Sequence, residues 1–279
     1  MNKKCRFLIL GIGNPVAKNL IRLLSQSEGV NQVIGVSRFP NEHSDLEEHC
    51  VSITPFDSLK RDGLRFEFDY VVSFLPLDQL SLELNIDKLS QRFVVISSAS
   101  RFVKQGSKLQ PDISLVNYLI SNEQRIRAEF GSSRVNFVYP TIIIGRDSKF
   151  SAALKRVNRA CGFLPVLSCW TGERAPISSQ VLAEVLRDML VSCNNLYLYR
   201  DIVVRGAEST TFKQMILEWS ALNQVRTVEI CLPISVLSFI ATIAKILKLK
   251  QNFITWIIHG SWNLMPVKVN ATIVSCEEH

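Results

Sequence analysis

Residues 8–20 read LILGIGNPVAKNL, an apolar run that breaks at Gly11 and Gly13 and resumes with helical spacing. Glycines between a strand and a helix let backbone N–H groups and the helix N-terminus approach a pyrophosphate. Gly11 and Gly13 stand where the first two glycines of a dinucleotide turn stand. Val16 takes the place of the third, which serves close packing of helix on strand. Asn14 is placed to cap the helix, and Pro15 suits its first turn while removing one N–H donor. Val16, Leu20, Leu23 and Leu24 share one face, as a helix lying on a sheet requires.

Outward from this stretch, short β-rich runs alternate with helical patterns. RFLIL (6–10), QVIGVS (32–37), HCVSI (49–53), DYVVSFLP (69–76), RFVVISSAS (92–100) and VNFVYPTIIIG (135–145) are rich in β-branched or aromatic residues, as strands buried on both faces tend to be. Between the fifth and sixth runs, residues 114–130 carry Leu115, Tyr118, Leu119 and Ile126 at near-helical spacing, the mark of a crossover helix. This order specifies an α/β fold, a Rossmann-type doubly wound parallel sheet. Beyond Gly145 helical patterns dominate, with short extended pieces such as YRDIVVRG (199–206). The expected organisation is a dinucleotide-binding domain over 1–150 and a smaller, mostly helical C-terminal substrate lobe over 151–279, packed on the sheet with no clear linker.

The second strand ends GVSRF, so Ser37 and Arg38 occupy the place where an acidic residue would hold a ribose 2′-OH. A guanidinium there suits the 2′-phosphate of NADP, although an exposed arginine at a strand end has the same sequence.

The 279 residues, 47% apolar and 20% charged, suffice for a large core, and the net charge of +7 is scattered rather than gathered into a nucleic-acid-binding run. Seven cysteines, odd in number and without a CxxC pair, read as reduced thiols of a cytoplasmic protein. The four histidines (His43, His49, His259, His279) lack metal-ligand spacing to Cys, Asp or Glu, so no metal is expected. The apolar run 234–247 is interrupted by Lys245 and falls short of the ~18–20 residues that cross a bilayer. It reads as a core helix of the lobe. Lys248, Lys250, Trp256 and Trp262 nearby admit peripheral membrane contact instead.

In their order along the chain, LILGIGNPVAKNLI, VIGVSRF, VVSFLP, VVISSAS and VYPTIIIGRD resemble the short-chain dehydrogenase/reductase superfamily, on its extended, atypical, nucleotide-sugar epimerase/dehydratase-like side. The resemblance covers roughly residues 5 to 220. It implies that NADP, or else NAD, is held by Gly11, Gly13, Asn14, Ser37, Arg38, Phe74, Leu75, Pro76, Ser97, Pro140 and Thr141. It further implies that Ser98 bonds the reacting oxygen of a sugar nucleotide or related small molecule.

Departures from the family are equally specific. Tyr139 and Ile144 replace an arginine and a tyrosine beside the nicotinamide, and Ser178, Ser179 and Gln180 depart from the later segment that closes over substrate. The family's Tyr-x-x-x-Lys pair falls on Ser121 and Arg125, and an arginine fixes phosphate or ribose but does not give up a proton. Tyr118 stands one turn too early. The acid/base candidate is Lys104, in SSASRFVK, as in atypical members, or an exposed loop lysine with no such part. Arg146 and Arg174 are candidate clamps for a substrate diphosphate or surface residues. A homodimer stands as a further candidate partner. The alternative to an epimerase, dehydratase or reductase is a catalytically silent NAD(P)-binding sensor or assembly protein.

Overall fold

Each of the six apolar runs becomes a strand because its side chains must be covered on both faces. They form β1 (Cys5–Leu10), β2 (Val30–Ser37), β3 (Ser52–Pro55), β4 (Tyr70–Ser73), β5 (Phe93–Ile96) and β6 (Val135–Pro140), joined by parallel pairing throughout. The computed structural model describes residues 5–49, 52–57, 67–81, 90, 92–191, 200–231 and 272–276. Later come β7 (Ile143–Ile144), β8 (Leu164–Leu167), β9 (Glu173–Arg174), β10 (Ile177–Ser178), β11 (Ile202–Gly206), β12 (Thr210–Thr211), β13 (Thr227–Ile230) and β14 (Thr272–Cys276). The central sheet has the order β14-β11-β6-β5-β4-β1-β2-β3. Chain order therefore reverses between β1 and β4, the switch point at which doubly wound sheets open a ligand crevice beyond the carboxyl ends of their strands.

The YRDIVVRG stretch was expected as a short extended piece of the lobe. Instead β11 joins the central sheet beside β6, with Ile202 opposite Val138, and β14 adds a further parallel strand beyond it. Ile202, Val203 and Val204 are fully buried, and only a position covered on both faces accommodates three consecutive apolar side chains in a strand. The sheet thus draws strands from both sides of residue 150.

Helices α1 (Pro15–Ser25), α2 (Ser100–Val103), α3 (Gln110–Phe130), α4 (Lys149–Cys161), α5 (Ser179–Val191) and α6 (Phe212–Leu222) accompany the strands. Asn14 caps α1 by accepting the Val16 N–H at 2.9 Å, and such a cap contributes about 1 kcal/mol. On one face of the sheet Val16, Leu20 and Leu24 of α1 and Val181, Leu182 and Leu186 of α5 share a core with Phe7 and Ile9. On the other, Leu119, Ile126 and Phe130 of α3 pack with Phe93, Phe137 and Tyr139. A third cluster, around Leu154, Leu164, Trp170, Phe212 and Trp219, lies among the later elements, and the Trp219 indole donates to Ser151 Oγ at 2.8 Å. No helix among the described residues is long and apolar enough to cross a membrane. The 234–247 run, Lys248, Lys250, Trp256 and Trp262 lie outside the described residues.

Candidate cofactor and active site

After β1 the chain turns under tight backbone control. Gly11 and Ile12 both donate to Val36 O, at 3.0 and 3.3 Å, and Asn14 N–H closes the turn onto Gly11 O at 3.1 Å. Gly11 has φ +82°, and a Cβ there would lie 3.2 Å from the Phe74 carbonyl carbon and 3.3 Å from Leu75 N. Glycine is therefore required both by the left-handed backbone and by the close approach of the chain leaving β4. Gly13 is exposed, and a Cβ on it would meet only the His43 ring, at 3.9 Å. Val16 is 1% exposed and belongs to the core beneath α1, so the missing third glycine alters helix packing and leaves the open side of the turn unobstructed. Phe74 is buried, Leu75 half-buried and Pro76 exposed along the neighbouring strand end.

At the carboxyl end of β2, Ser37 is buried; its Oγ accepts the Phe39 N–H at 3.1 Å and lies 3.0 Å from His43 Nε2. Arg38 is exposed, with its guanidinium 5.9 Å from the centroid of the equally exposed Phe39 ring. His43 was not singled out from sequence. It sits in a short 3-10 segment (Pro40–Leu46), where nothing in the residue pattern marks it as buried.

Two strands from β1, β5 is followed by Ser97 and Ser98, both half-buried. Ser98 Oγ accepts the Ser100 N–H at 3.2 Å, which leaves its own hydrogen free to donate outward. Ser97 Oγ donates to Glu123 Oε1 at 2.6 Å. The Glu123 carboxylate, 2% exposed, also takes an ion pair from Arg101 and a hydrogen bond from the Tyr139 hydroxyl at 3.1 Å. Tyr139 in turn reaches Asp201 Oδ2 at 3.5 Å, and Arg127 holds both Asp201 oxygens at 2.7 and 2.6 Å. Burial pushes the Glu123 carboxyl up, partly offset by Ser97, Arg101 and Tyr139. Burial first, then Glu123 and Asp201, pushes the Tyr139 hydroxyl far above its ordinary value, so it remains a neutral hydrogen-bonding group. Glu123, Arg101 and Asp201 form a cluster that sequence reasoning missed, since each reads as an ordinary surface charge until the fold brings them together.

The helix expected to carry acid/base chemistry is α3. Ser121 is exposed and bonds back to Tyr118 O at 3.3 Å. Tyr118 donates to Asp78 Oδ1 at 2.6 Å, and its hydroxyl is pushed up by burial and by that hydrogen bond. Arg125 grips the loop after β4 through Leu77 O and Leu80 O, at 2.7 and 2.8 Å, and pairs with Glu129. Lys104 is not a loose surface lysine: its Nζ lies 3.0 Å from Asp112 Oδ1, with the two side chains 13% and 1% exposed. Each of these four side chains is thus engaged within the protein.

Beyond β6, the buried Pro140 accepts the Ala99 N–H, and Thr141 Oγ1 donates to Ala175 O at 2.5 Å, tying this strand end to the lobe. Ser178 accepts the Val181 N–H at 3.1 Å and so caps α5. Arg146 is exposed, whereas Arg174 is buried with its guanidinium 5.4 Å from the Phe212 ring centroid, and burial lowers it to about 10.

No family model and no curated protein matches the sequence. Among solved structures, a mutant UDP-glucuronic acid 4-epimerase from Bacillus cereus, in complex with UDP-4-deoxy-4-fluoro-glucuronic acid and NAD, superposes with a TM-score of 0.62 at 15% identity, over 81% of this chain and 86% of that one. The chain shares the fold of this epimerase, a Rossmann-type parallel sheet with flanking helices. A dTDP-glucose 4,6-dehydratase from Bacillus anthracis in complex with NAD matches the same fold with a TM-score of 0.59 at 11% identity, covering 82% and 85% of the two chains. So does an NAD-dependent NDP-hexosamine 5,6-dehydratase involved in tunicamycin biosynthesis, with a TM-score of 0.57 at 17% identity over 81% and 84%. At the β1/β4 switch point of this fold, the turn of Gly11, the Phe74–Leu75 wall and the Ser97–Ser98 segment after β5 stand at one edge of the sheet.

Proposed function

We propose that the protein binds NAD(H) or NADP(H) in this crevice and acts on a sugar nucleotide or related small molecule as an epimerase, dehydratase or reductase. The observation that carries the reading is the glycine turn at the switch point, with a serine hydroxyl hydrogen free to donate two strands away at the same edge. Gly11, Gly13 and Asn14 would hold the diphosphate, and Phe74, Leu75, Pro76, Ser97, Pro140 and Thr141 the remaining length of the dinucleotide. Ser37 and Arg38 would meet the adenosine ribose, and the exposed Arg38 suits a 2′-phosphate, while the solved neighbours carry NAD. A bound nicotinamide supplies hydride chemistry. Ser98 donates a hydrogen bond to the substrate carbonyl oxygen, and proton exchange is assigned to Lys104, whose pairing with Asp112 must open toward the substrate. Ser121 and Tyr118 rank after it, and Arg125 serves to hold the loop after β4. Arg146 offers the substrate diphosphate an exposed cation, and Arg174 supports that wall of the lobe from within.

A second reading, a catalytically silent dinucleotide-binding protein, is favoured by one observation: Lys104, Tyr118, Ser121 and Arg125 all have internal partners. Thermal-shift titration with NAD(H) and NADP(H) tests both readings, and no stabilisation by either overturns both. A panel of sugar nucleotides then separates them. Turnover that is lost in Ser98→Ala supports the enzyme, and absence of turnover from the unaltered protein across the panel supports the silent protein.

A further inference from the structure

Ser37 Oγ is held from two sides, by the Phe39 N–H at 3.1 Å and by His43 Nε2 at 3.0 Å, and the His43 ring lies 3.9 Å from where a Cβ on Gly13 would stand. His43 is only 7% exposed, and its other ring nitrogen, Nδ1, is buried without a hydrogen-bond partner. Histidines that serve as fixed props normally have the second nitrogen anchored, which sets the tautomer. Here nothing sets it, so the ring can present either a hydrogen or a lone pair to Ser37.

The two states give Ser37 opposite chemistry. With a hydrogen on Nε2, both lone pairs of Oγ are filled, by Phe39 and by His43, and the hydroxyl has only its O–H to offer. That suits an oxygen that only accepts, such as a phosphate dianion. With Nε2 bare, the Ser37 O–H is committed to the imidazole, and one lone pair remains for a ligand hydroxyl such as a ribose 2′-OH. Protonation of the ring imposes the first state and adds a positive charge beside it.

We infer that His43 is a positioning residue which, through Ser37, sets the preference between a ribose 2′-phosphate and a ribose 2′-hydroxyl, so that preference for the phosphorylated dinucleotide rises as pH falls. This rests on the dinucleotide-binding reading above. Charged groups on two packed elements bear on the ring: Lys18 of α1, and Glu42 and Asp45 of its own segment, with Asp45 held by Lys18 at 3.4 Å and by Arg22 at 2.8 Å. Arg38 is exposed nearby in sequence at the end of β2. Burial and then Lys18 push the imidazole down from its ordinary value, only partly offset by Asp45 and Glu42, so the site without an anion favours the neutral ring. A 2′-phosphate next to it raises it again.

The experiment measures dissociation constants of NAD+ and NADP+ for the full chain between about pH 5.5 and about pH 8 in the wild type and in His43→Gln, whose amide reaches the Nε2 position without titrating. The NADP+/NAD+ preference of the wild type is expected to rise about tenfold on acidification relative to His43→Gln, one unit of coupling being one factor of ten. The titration of the free ligand's 2′-phosphate is common to both proteins and cancels in the comparison, so the difference between them reports the coupling to His43. As a readout independent of folding in the variant, the His43 imidazole titration followed by NMR moves upward with NADP+ and not with NAD+. Parallel pH profiles in the two proteins, or an imidazole titration indifferent to the 2′ group, overturn the inference while leaving dinucleotide binding intact. Failure of both ligands to bind overturns the dinucleotide reading and this one with it.

Discussion

Exchanging Glu123 for glutamine separates burial from ion pairing in the cluster behind Ser98. Glu123 Oε2 takes Arg101 and Tyr139, and Oε1 takes Ser97. In the amide, the oxygen can keep the first two donors while the NH2 donates to Ser97 Oγ, because a hydroxyl accepts as readily as it donates. Only the hydroxyl hydrogen of the half-buried Ser97 loses its acceptor, and Arg101 is 30% exposed, so water screens part of the lost charge. At about pH 7.5 the expected change in stability is within about 1 kcal/mol. Glu123→Leu, which removes the acceptor of Ser97, the ion-pair partner of Arg101 and the nearer acceptor of a fully buried Tyr139, leaving it only Asp201 at 3.5 Å, is expected to cost about 3 kcal/mol. The sign with pH follows from the raised carboxyl. A group that holds its proton more tightly in the folded chain contributes most while protonated, and that contribution is lost as pH rises from 4.5 through the folded value. Each unit of elevation corresponds to about 1.4 kcal/mol. Glutamine has no such window, so the wild type should lose ground to E123Q between about pH 4.5 and about pH 7.5, by about 2–4 °C in Tm for each kcal/mol. Thermal unfolding followed by circular dichroism at both pH values decides it. A wild type that gains on E123Q with rising pH would show that the Arg101 ion pair outweighs burial, and the reasoning would fail.

Gly206→Ala would bring a Cβ within 2.0 Å of Pro176 O, so β11 must leave its place, and we expect a loss above about 4 kcal/mol in urea unfolding. Gly11→Ala forces alanine to φ +82° against the Phe74–Leu75 backbone, costing about 1–2 kcal/mol. Its larger effect should be on NAD(H) affinity by fluorescence titration, a drop of about tenfold or more. Lys104→Met uncovers the Asp112 carboxylate, which is 1% exposed, and is expected to cost about 3 kcal/mol in thermal unfolding. Loss of turnover with an unchanged Tm would instead give Lys104 a chemical part.

Much of the fold was legible because its signals are local. Six apolar runs of strand length, a two-glycine turn and a capped, proline-started helix each follow from side-chain volume and backbone freedom within a few residues, and each forms as expected. The third strand forms slightly later than the HCVSI run, over Ser52–Pro55. For the candidate site, the strand-end serines and the glycine turn were legible for the same reason. The engagement of Lys104, Tyr118 and Arg125 was not, because their partners Asp112, Asp78 and the Leu77–Leu80 carbonyls become neighbours only when α3 is laid across the sheet.

The sequence by itself determined the alternation of strands and helices and the glycine turn, since periodicity and turn chemistry act over short range, whereas the strand order that places the switch point between β1 and β4 came from the tertiary structure. Tertiary structure alone decided that β11 and β14 complete the sheet, that Glu123 lies buried on the same α3 face as Leu119 and Ile126, and that His43 rests against Ser37 and Gly13. The physical reason is that burial of a polar side chain depends on what packs over it: Glu123 and His43 read as surface residues in sequence, and it is the packing of other elements that covers them, with Ser97, Arg101 and Tyr139 supplying the hydrogen bonds that permit Glu123 inside.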